Sequence, residues 1–521
     1  MNPTDEQTAA ADAFRAGDHL ALQAGAGTGK TTTLALLART TGRCGCYVAY
    51  NRAIAQDARA RFPSTVRCKT AHAMAYAAVG HRYTRRLNAP RRPAWQTGQA
   101  LGITKALRIG DREITQKALS NATLRTVTRF CHTADEAVTR HHVPFLRGME
   151  DADLHAQLAA HILPFARKAW VDLQHPDDGA VRFDHDHYLK IWALTQPRIN
   201  ADFLLLDEAQ DTNPVVEQIF LAQREHAQLV MVGDSAQAIY HWRGAKDIMT
   251  GFDGTQLALS QSFRFGPDLA AEANRWLRLA DAPIRLTGTP AVPTELGPVT
   301  QPDAVLCRTN VGAMAQVMNL MAAGYRVALA GGGDSLQALA LAARDLKEGR
   351  RTHHPELILF PHWGDLQDYA AHDPAGRDLQ PLVNLVDTHG TDAILTAVAH
   401  LAPELHAQVT VSTVHKAKGR EWPRVLIADD FARPEDNTAD EHADTTTAPE
   451  PIDDAEARLA YVAVTRTRQC LDLGGLSWIH DHPDGSPPDP NLTLEGRGHA
   501  SDVPPTQETS GQQHATSDSA R

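Results

Sequence analysis

The residues with the plainest chemistry fall in two short stretches, far apart in the chain. The first is Ala24-Gly25-Ala26-Gly27-Thr28-Gly29-Lys30-Thr31, which follows an apolar run and opens the helical run Thr31–Thr40. Glycines at this density let backbone N–H groups curl around a phosphate, and the start of the helix adds positive potential there. Lys30 is placed to reach β- and γ-phosphates, and Thr31 to hold Mg²⁺. The first position of the general pattern is usually glycine and here is Ala24. Taken alone, the stretch would also fit a glycine-rich turn that binds no nucleotide. The second stretch, Leu204-Leu205-Leu206-Asp207-Glu208, puts two acids at the end of a buried strand. Asp207 can bind a metal directly or through water, and Glu208 can accept a proton from an attacking water. A helix N-cap would explain the acids but not their company with a phosphate loop. ATP and Mg²⁺ are the expected ligands.

Such groups need strands to hold them. Short apolar runs bounded by turn residues occur at His19–Ala24, Cys46–Tyr50, Phe203–Asp207 and Leu229–Gly233, then at Ala304–Cys307, Val327–Ala330, Val409–Thr413 and Val425–Asp429. Continuous apolar runs of this length are what strands buried on both faces look like. Their alternation with helical segments predicts parallel sheets, and the two sets predict two α/β domains.

Composition is that of a soluble globular protein: 43% hydrophobic, 22% charged, 521 residues, enough for several domains. No apolar run approaches the roughly 20 residues of a membrane span, and the N-terminus is polar, so no membrane association and a cytoplasmic location, nucleoid-associated if the source is bacterial, are expected. The six cysteines are scattered apart from Cys44 and Cys46 and read as reduced thiols. Among the 26 histidines, the pairs His141-His142 and His353-His354 lack ligand spacing. The net charge of −11 argues against a wholesale nucleic-acid coat, but its distribution is uneven. His81–Phe130 carries eleven Lys/Arg against two acids, with Tyr83 and Trp95 among them. That stretch reads first as a solvated face and second as a phosphate-tracking surface. Pro434–Glu456 carries nine acids and no Lys/Arg, and its Pro434–Asp454 part reads as a surface loop. The segment from Asp481 onward is rich in Pro, Gly, Ser, Asp and Gln and reads as disordered.

Together the motifs, in order from Gln7 to Arg468, resemble those of UvrD/Rep-type superfamily 1 DNA helicases, and most of all the F-box DNA helicase branch. The resemblance implies the following roles. Gln7, in Asp5-Glu6-Gln7, would read the adenine edge. Asn51, in Tyr50-Asn51-Arg52-Ala53, and Thr70 and His72, in Thr70-Ala71-His72, would contact DNA. Gln237, in Gly233-Asp234-Ser235-Ala236-Gln237, would sense the γ-phosphate. Trp242, in Ile239-Tyr240-His241-Trp242-Arg243-Gly244-Ala245, would stack on single-stranded bases. In Gln261-Ser262-Phe263-Arg264-Phe265-Gly266-Pro267, Phe263 would lie on adenine and Arg264 touch the γ-phosphate. In the stretch from Ser412 to Trp422, Thr413 and His415 would meet DNA and Glu421 would bond the ribose. Arg466, in the stretch Glu456–Arg466, would be an arginine finger from the second domain, while Arg458 and Arg468 read as a solvated basic face. The sequence departs from the family at Thr32, where many relatives carry an arginine, and at Arg420, where leucine is usual. No F-box precedes Gln7 within these residues.

The implied architecture is two RecA-like P-loop NTPase domains. The first would comprise residues 1–80 and 201–285, with a helical insertion at 81–200. The second would comprise 286–332 and 409–480, with a short accessory insertion at 333–408, ahead of a tail at 481–521. The implied activity is an ATP-dependent helicase or translocase on single-stranded DNA and single/double-strand junctions, moving 3′ to 5′, in repair, recombination or replication. A DNA-stimulated ATPase that strips proteins or serves as an assembly module without unwinding fits the same residues. A dead nucleotide-binding scaffold does not, because Lys30, Glu208 and Arg466 are all present.

Overall fold

The computed structural model describes residues 3–89, 92–146, 149, 151–239, 248–249, 251–358, 360–372, 379–431 and 452–485. In chain order, β1 (Leu20–Ala24), β2 (Gly45–Ala49) and β3 (Val66–Thr70) precede an antiparallel hairpin of β4 (Leu107–Ile109) and β5 (Arg112–Ile114). Then come β6 (Phe203–Leu206), β7 (Gln228–Gly233) and β8 (Thr255–Leu259). The first sheet runs β3-β2-β6-β7-β1-β8, and all its pairings are parallel. The short parallel pair β9 (Gln261–Ser262) and β10 (Thr287–Gly288) leads to the second sheet. That sheet comprises β11 (Glu295–Leu296), β12 (Ala304–Cys307), β13 (Val327–Leu329), β14 (Val409–Thr413), β15 (Trp422–Ile427) and β16 (Thr467–Asp472), in the order β11-β16-β15-β12-β14-β13, again parallel. The fold is therefore α/β with two RecA-like domains.

Each sheet is covered on both faces, which is why the central strands β6 and β12 are apolar throughout. On one face of the first sheet, Phe14, Leu34 and Leu37 pack over Leu22, Phe203 and Val230. On the other, Leu204, Leu206 and Met231 pack with Trp170, Leu189 and Ala75, so the helices between β3 and β6 share this core. In the second half, the helices Asn310–Ala322, Asp334–Lys347, Gln380–His389 and Thr391–Ala399 bury Met314, Ala343, Val386 and Ile394 with Val327 and Val411. A further core joins the halves: Phe265 and Trp276 lie with Tyr461, Val464 and Ile427.

Several expectations need correction. The segment from Asp481 is ordered at its start: the turn Pro483–Gly485 docks on the helix Pro267–Leu279. There His482 is 1% exposed and Arg275 donates to the Gly485 carbonyl, an anchoring that composition does not reveal. The acidic stretch ends as helix, since Asp453 caps Asp454–Val464 through Ala455 N at 3.2 Å. Residues 432–451 and 486–521 lie outside the described residues. Within the basic segment, Tyr83 and Arg86 face inward. Tyr83 stacks on Phe183 at 4.4 Å, and Arg86 donates to the carbonyls of Asp172, His175 and Val181. A buried guanidinium is retained where carbonyls satisfy it, so charge counting overstates the surface here. Trp95 remains exposed at 40%. All six thiols are free; Cys44 is exposed and Cys46 buried beside Met74. Among the described residues, no helix is long and apolar enough to cross a membrane.

Candidate nucleotide site

The phosphate loop leaves the carboxyl end of β1 and enters the helix Lys30–Arg39. Gly27 has φ +76°, and a Cβ there would stand 2.5 Å from Ser262 Oγ and 2.6 Å from Arg264 Cβ. Only glycine allows both the backbone conformation and the close approach of the Gln261–Pro267 motif. The loop borders a cavity of about 670 Å³ whose walls include Lys30, Thr31, Glu208, Gln237, Phe263, Arg264, Glu421 and Arg466. Gly27, Thr28 and Gly29 also line it. Residues predicted from opposite ends of the chain thus meet in one place. Ala24 and Ala26 lie behind the loop, buried, and Gly25 sits against Leu286. Gln7 is not among the lining residues. Its amide closes a capping box with Thr4 and donates to Thr33 Oγ1 at 3.0 Å.

The acid pair is held tightly. Thr31 Oγ1 donates to Asp207 Oδ2 at 2.7 Å, and the Tyr47 hydroxyl donates to the same oxygen at 2.6 Å. A hydroxyl and a carboxylate in contact beside a phosphate loop fit a Mg²⁺-nucleotide, since both are hard oxygen donors. Glu208 has φ +52°, the left-handed region that a glutamate rarely occupies, so the backbone is strained at this residue. Gln210 donates to Glu208 Oε2 at 2.7 Å and accepts from Asp234 N at 2.9 Å, bridging the ends of β6 and β7. The two carboxyls are driven apart in acidity. Burial and the neighbouring Glu208 raise Asp207. Burial also opposes the charge on Glu208, but Lys30, Gln210, Lys418 and Arg466 together hold its pKa below the usual value. A carboxylate kept ionised beside a phosphate site suits a base.

The second domain supplies the far wall. Arg264 Nε is 2.6 Å from Glu421 Oε2, and its Nη1 donates to the Thr465 carbonyl at 2.8 Å. Arg466 is 2% exposed, with its guanidinium on the carbonyls of Val462 and Arg420 and 3.4 Å from Gln237 Oε1. Burial, then repulsion from Arg264, pushes its pKa down to about 9.

Other polar ties across the cleft were not expected from the sequence. The Tyr461 hydroxyl accepts from Ala26 N at 3.0 Å and donates to Asp234 Oδ2 at 2.8 Å. Lys418 pairs with buried Asp211 at 2.6 Å and donates to the Gln237 carbonyl. Arg458 is no solvated face residue: it donates to the Ser235 and Ala280 carbonyls. Arg468 and Arg61 line the cavity, and so does Thr32. Arg420 has a physical account in this structure, since it lies 5.0 Å over the Trp422 ring and pairs with Glu404.

The residues expected to touch DNA stand at carboxyl ends of parallel strands, where open α/β sheets bind ligands. Asn51 and Thr70 cap the helices after β2 and β3, accepting from Ile54 N and Ala73 N. Thr413 ends β14, with His415 in the short helix that follows. Trp242 lies outside the described residues. His72 is engaged: its Nε2 is 3.0 Å from Asp186 Oδ1, and His132 Nε2 is 2.9 Å from Asp186 Oδ2. Burial opposes ionisation of Asp186, but hydrogen bonds from His132 and His72 outweigh it and hold the carboxyl far below its usual value. The Asp186 hydrogen bond raises His132 above 6.5. The Asp186 contribution is present above pH 3.8 and lost only in stronger acid; the His132 contribution is complete below pH 6.5 and lost as pH rises through its raised value. Asp186→Asn is therefore expected to destabilise the protein most between those limits. Melting curves across pH check this, and a penalty that grows above neutrality would contradict it.

A phosphate loop, an acid pair and arginines facing each other across two RecA-like domains define a P-loop NTPase whose nucleotide cleft lies between its domains. Residues 3–252 match the UvrD/REP helicase N-terminal domain and residues 390–475 the UvrD-like helicase C-terminal domain; the chain belongs to the UvrD-like helicase family. It is similar to F-box DNA helicase protein 1 of Schizosaccharomyces pombe, with 26% identity over 499 residues covering 88% of this chain and 55% of that protein. It is also similar to F-box DNA helicase 1 of Gallus gallus, with 29% identity over 496 residues covering 87% of this chain and 47% of that protein. The chain thus spans about half the length of these relatives.

Proposed function

We propose that the chain is an ATP-dependent DNA helicase that moves 3′ to 5′ along single-stranded DNA and separates strands at junctions. One observation carries the reading: Lys30, Glu208, Gln237, Arg264 and Arg466 border a single cavity between two domains. When bound, ATP with Mg²⁺ supplies the phosphoryl group whose charge must be neutralised. Thr31 and Asp207 would hold the metal, and Phe263 and Glu421 the nucleoside. Lys30, Arg264 and Arg466 bring three cations to the phosphates, and Glu208 and Gln237 position water. Closing and opening of the cleft would alternate the grip of the two domains on a strand. Polarity and the DNA contacts rest on the family resemblance.

Forked, 3′-tailed and 5′-tailed duplexes with ATP and Mg²⁺ test the proposal. Opening of forked and 3′-tailed substrates is expected. Opening of 5′-tailed duplexes alone would reverse the polarity. DNA-stimulated hydrolysis without any opening would favour a translocase that strips proteins from DNA. Trp242 is the proposed base platform. Trp242→Ala is expected to keep basal hydrolysis, lose most of its stimulation by DNA, and bind single strands about 1–3 kcal/mol more weakly. Normal translocation by this variant would put the platform elsewhere.

A further inference from the structure

Away from the nucleotide cleft, one set of metal-ligating side chains comes together among the described residues: Asp135, His141 and His142, whose ligand atoms all lie within 4.8 Å of one another. Spacing gave no sign of it, because the adjacent histidines need an acid that the fold returns to them. The three belong to the loop that leaves the helix Gln116–Cys131. Asp135 Oδ2 is 2.6 Å from His141 Nε2 and 3.0 Å from His142 Nε2. Yet this oxygen is shut off from solvent and makes no well-aligned hydrogen bond. Donor atoms this close, and poorly aimed at one another, are grouped as the ligands of a single ion would be.

The rings are held from behind by one residue. Thr139 Oγ1 lies 2.9 Å from His141 Nδ1. His142 Nδ1 faces both the N–H of Thr139 at 3.0 Å and its carbonyl at 3.2 Å, so either tautomer finds a partner. Both Nε2 atoms are thereby turned toward Asp135. A carbonyl that can accept a hydrogen bond from Nδ1–H is the support a metal-bound imidazole requires. The Thr133 hydroxyl, 3.1 Å from His142 Nε2, lies beside the same point. Lys190 Nζ fixes the loop by donating to the carbonyls of Thr133 and Asp135. His142 is 1% exposed, whereas His141 is 62% exposed and leaves a way in.

We propose that Asp135, His141 and His142 form a binding site for a divalent transition-metal ion, with zinc the best match to the donors. Two imidazoles and one carboxylate suit zinc, with bonds of about 2.0–2.2 Å and tetrahedral ligand spacings of roughly 3.3 Å. From 2.6 and 3.0 Å, the two Asp135 spacings would open by roughly 0.7 and 0.3 Å to reach that value. Water completes the coordination. Mg²⁺ prefers oxygen ligands alone and stays at the phosphate site. A bound ion fastens the loop to the core of the helical region, so its effect falls on stability and not on ATP chemistry.

The test uses the full chain, stripped with chelator and returned to buffer containing excess Mg²⁺. Zinc is titrated in competition with a chromophoric chelator, and melting is followed with and without zinc. One zinc per chain and a raised melting temperature are expected. Asp135→Asn and His141→Ala should each weaken zinc binding at least tenfold and remove the melting shift. His141 is 62% exposed, so His141→Ala should melt like the parent when zinc is absent. No uptake by the parent, or undiminished uptake by both variants, would overturn the site.

Discussion

Lys30→Ala is expected to abolish ATP turnover, and Glu208→Gln to leave ATP bound while hydrolysis collapses. Lys30 is the cation of the loop itself, and no other Lys/Arg of the phosphate loop can replace it. Glutamine at 208 keeps the size and shape of the side chain and its contact with Gln210, but it cannot accept a proton. The loss should be on the order of 10²–10⁴-fold, the range for removing a general base. Phosphate release and binding of a fluorescent nucleotide, measured on the same preparations, separate chemistry from affinity. Hydrolysis by Glu208→Gln within a few-fold of the parent would take the base role away from this residue. Loss of binding in that variant would mean that the strained backbone at Glu208 had given way instead.

Arg466→Ala should lower turnover by about 10³-fold or more if the guanidinium acts as a finger on the transferring phosphoryl. Its burial makes a control necessary, because the truncation also removes the Arg466 hydrogen bonds to the Val462 and Arg420 carbonyls. Arg466→Lys keeps the charge but loses the planar fork, so it should remain folded with turnover still strongly reduced. Melting curves for both variants separate a stability loss from a catalytic one. Although its pKa is pushed down to about 9, Arg466 still carries its proton at neutral pH. Near-normal DNA-stimulated hydrolysis in Arg466→Ala would remove it from the chemistry.

The parts of the fold that could be read in advance are those buried on both faces. β6, β7 and β12 are built on continuous apolar runs, and their places follow from that pattern. β3 and β8 escaped because they are the edges of the first sheet, and their burial alternates along Val66–Thr70 and Thr255–Leu259. β16 escaped for a related reason: Arg468 and Gln469 face outward in its middle. The cavity-lining motifs were legible because glycines, paired acids and arginines have few other reasons to occur together. The Tyr461–Asp234 and Lys418–Asp211 contacts were not, since nothing in residue type says which tyrosine or lysine reaches across the cleft. Arg86 marks the converse limit. Its charge is as visible in the sequence as that of Arg85, and only packing distinguishes them.

The bond between Ala26 N and the Tyr461 hydroxyl joins residues 435 positions apart. At ribosomal rates of 5–20 residues per second, roughly 20–90 s pass between the synthesis of one partner and the other. Throughout that interval the nascent chain carries a finished phosphate loop and no Tyr461 or Arg466 to face it. The strands of the first sheet are complete by Leu259, long before the opposite wall is made. The acids of the first domain then wait for it. The order of the residues along the chain thus sets an order of assembly: the helix Asp454–Val464, made late, completes the cleft, and hydrolysis that required Arg466 would have to wait for it.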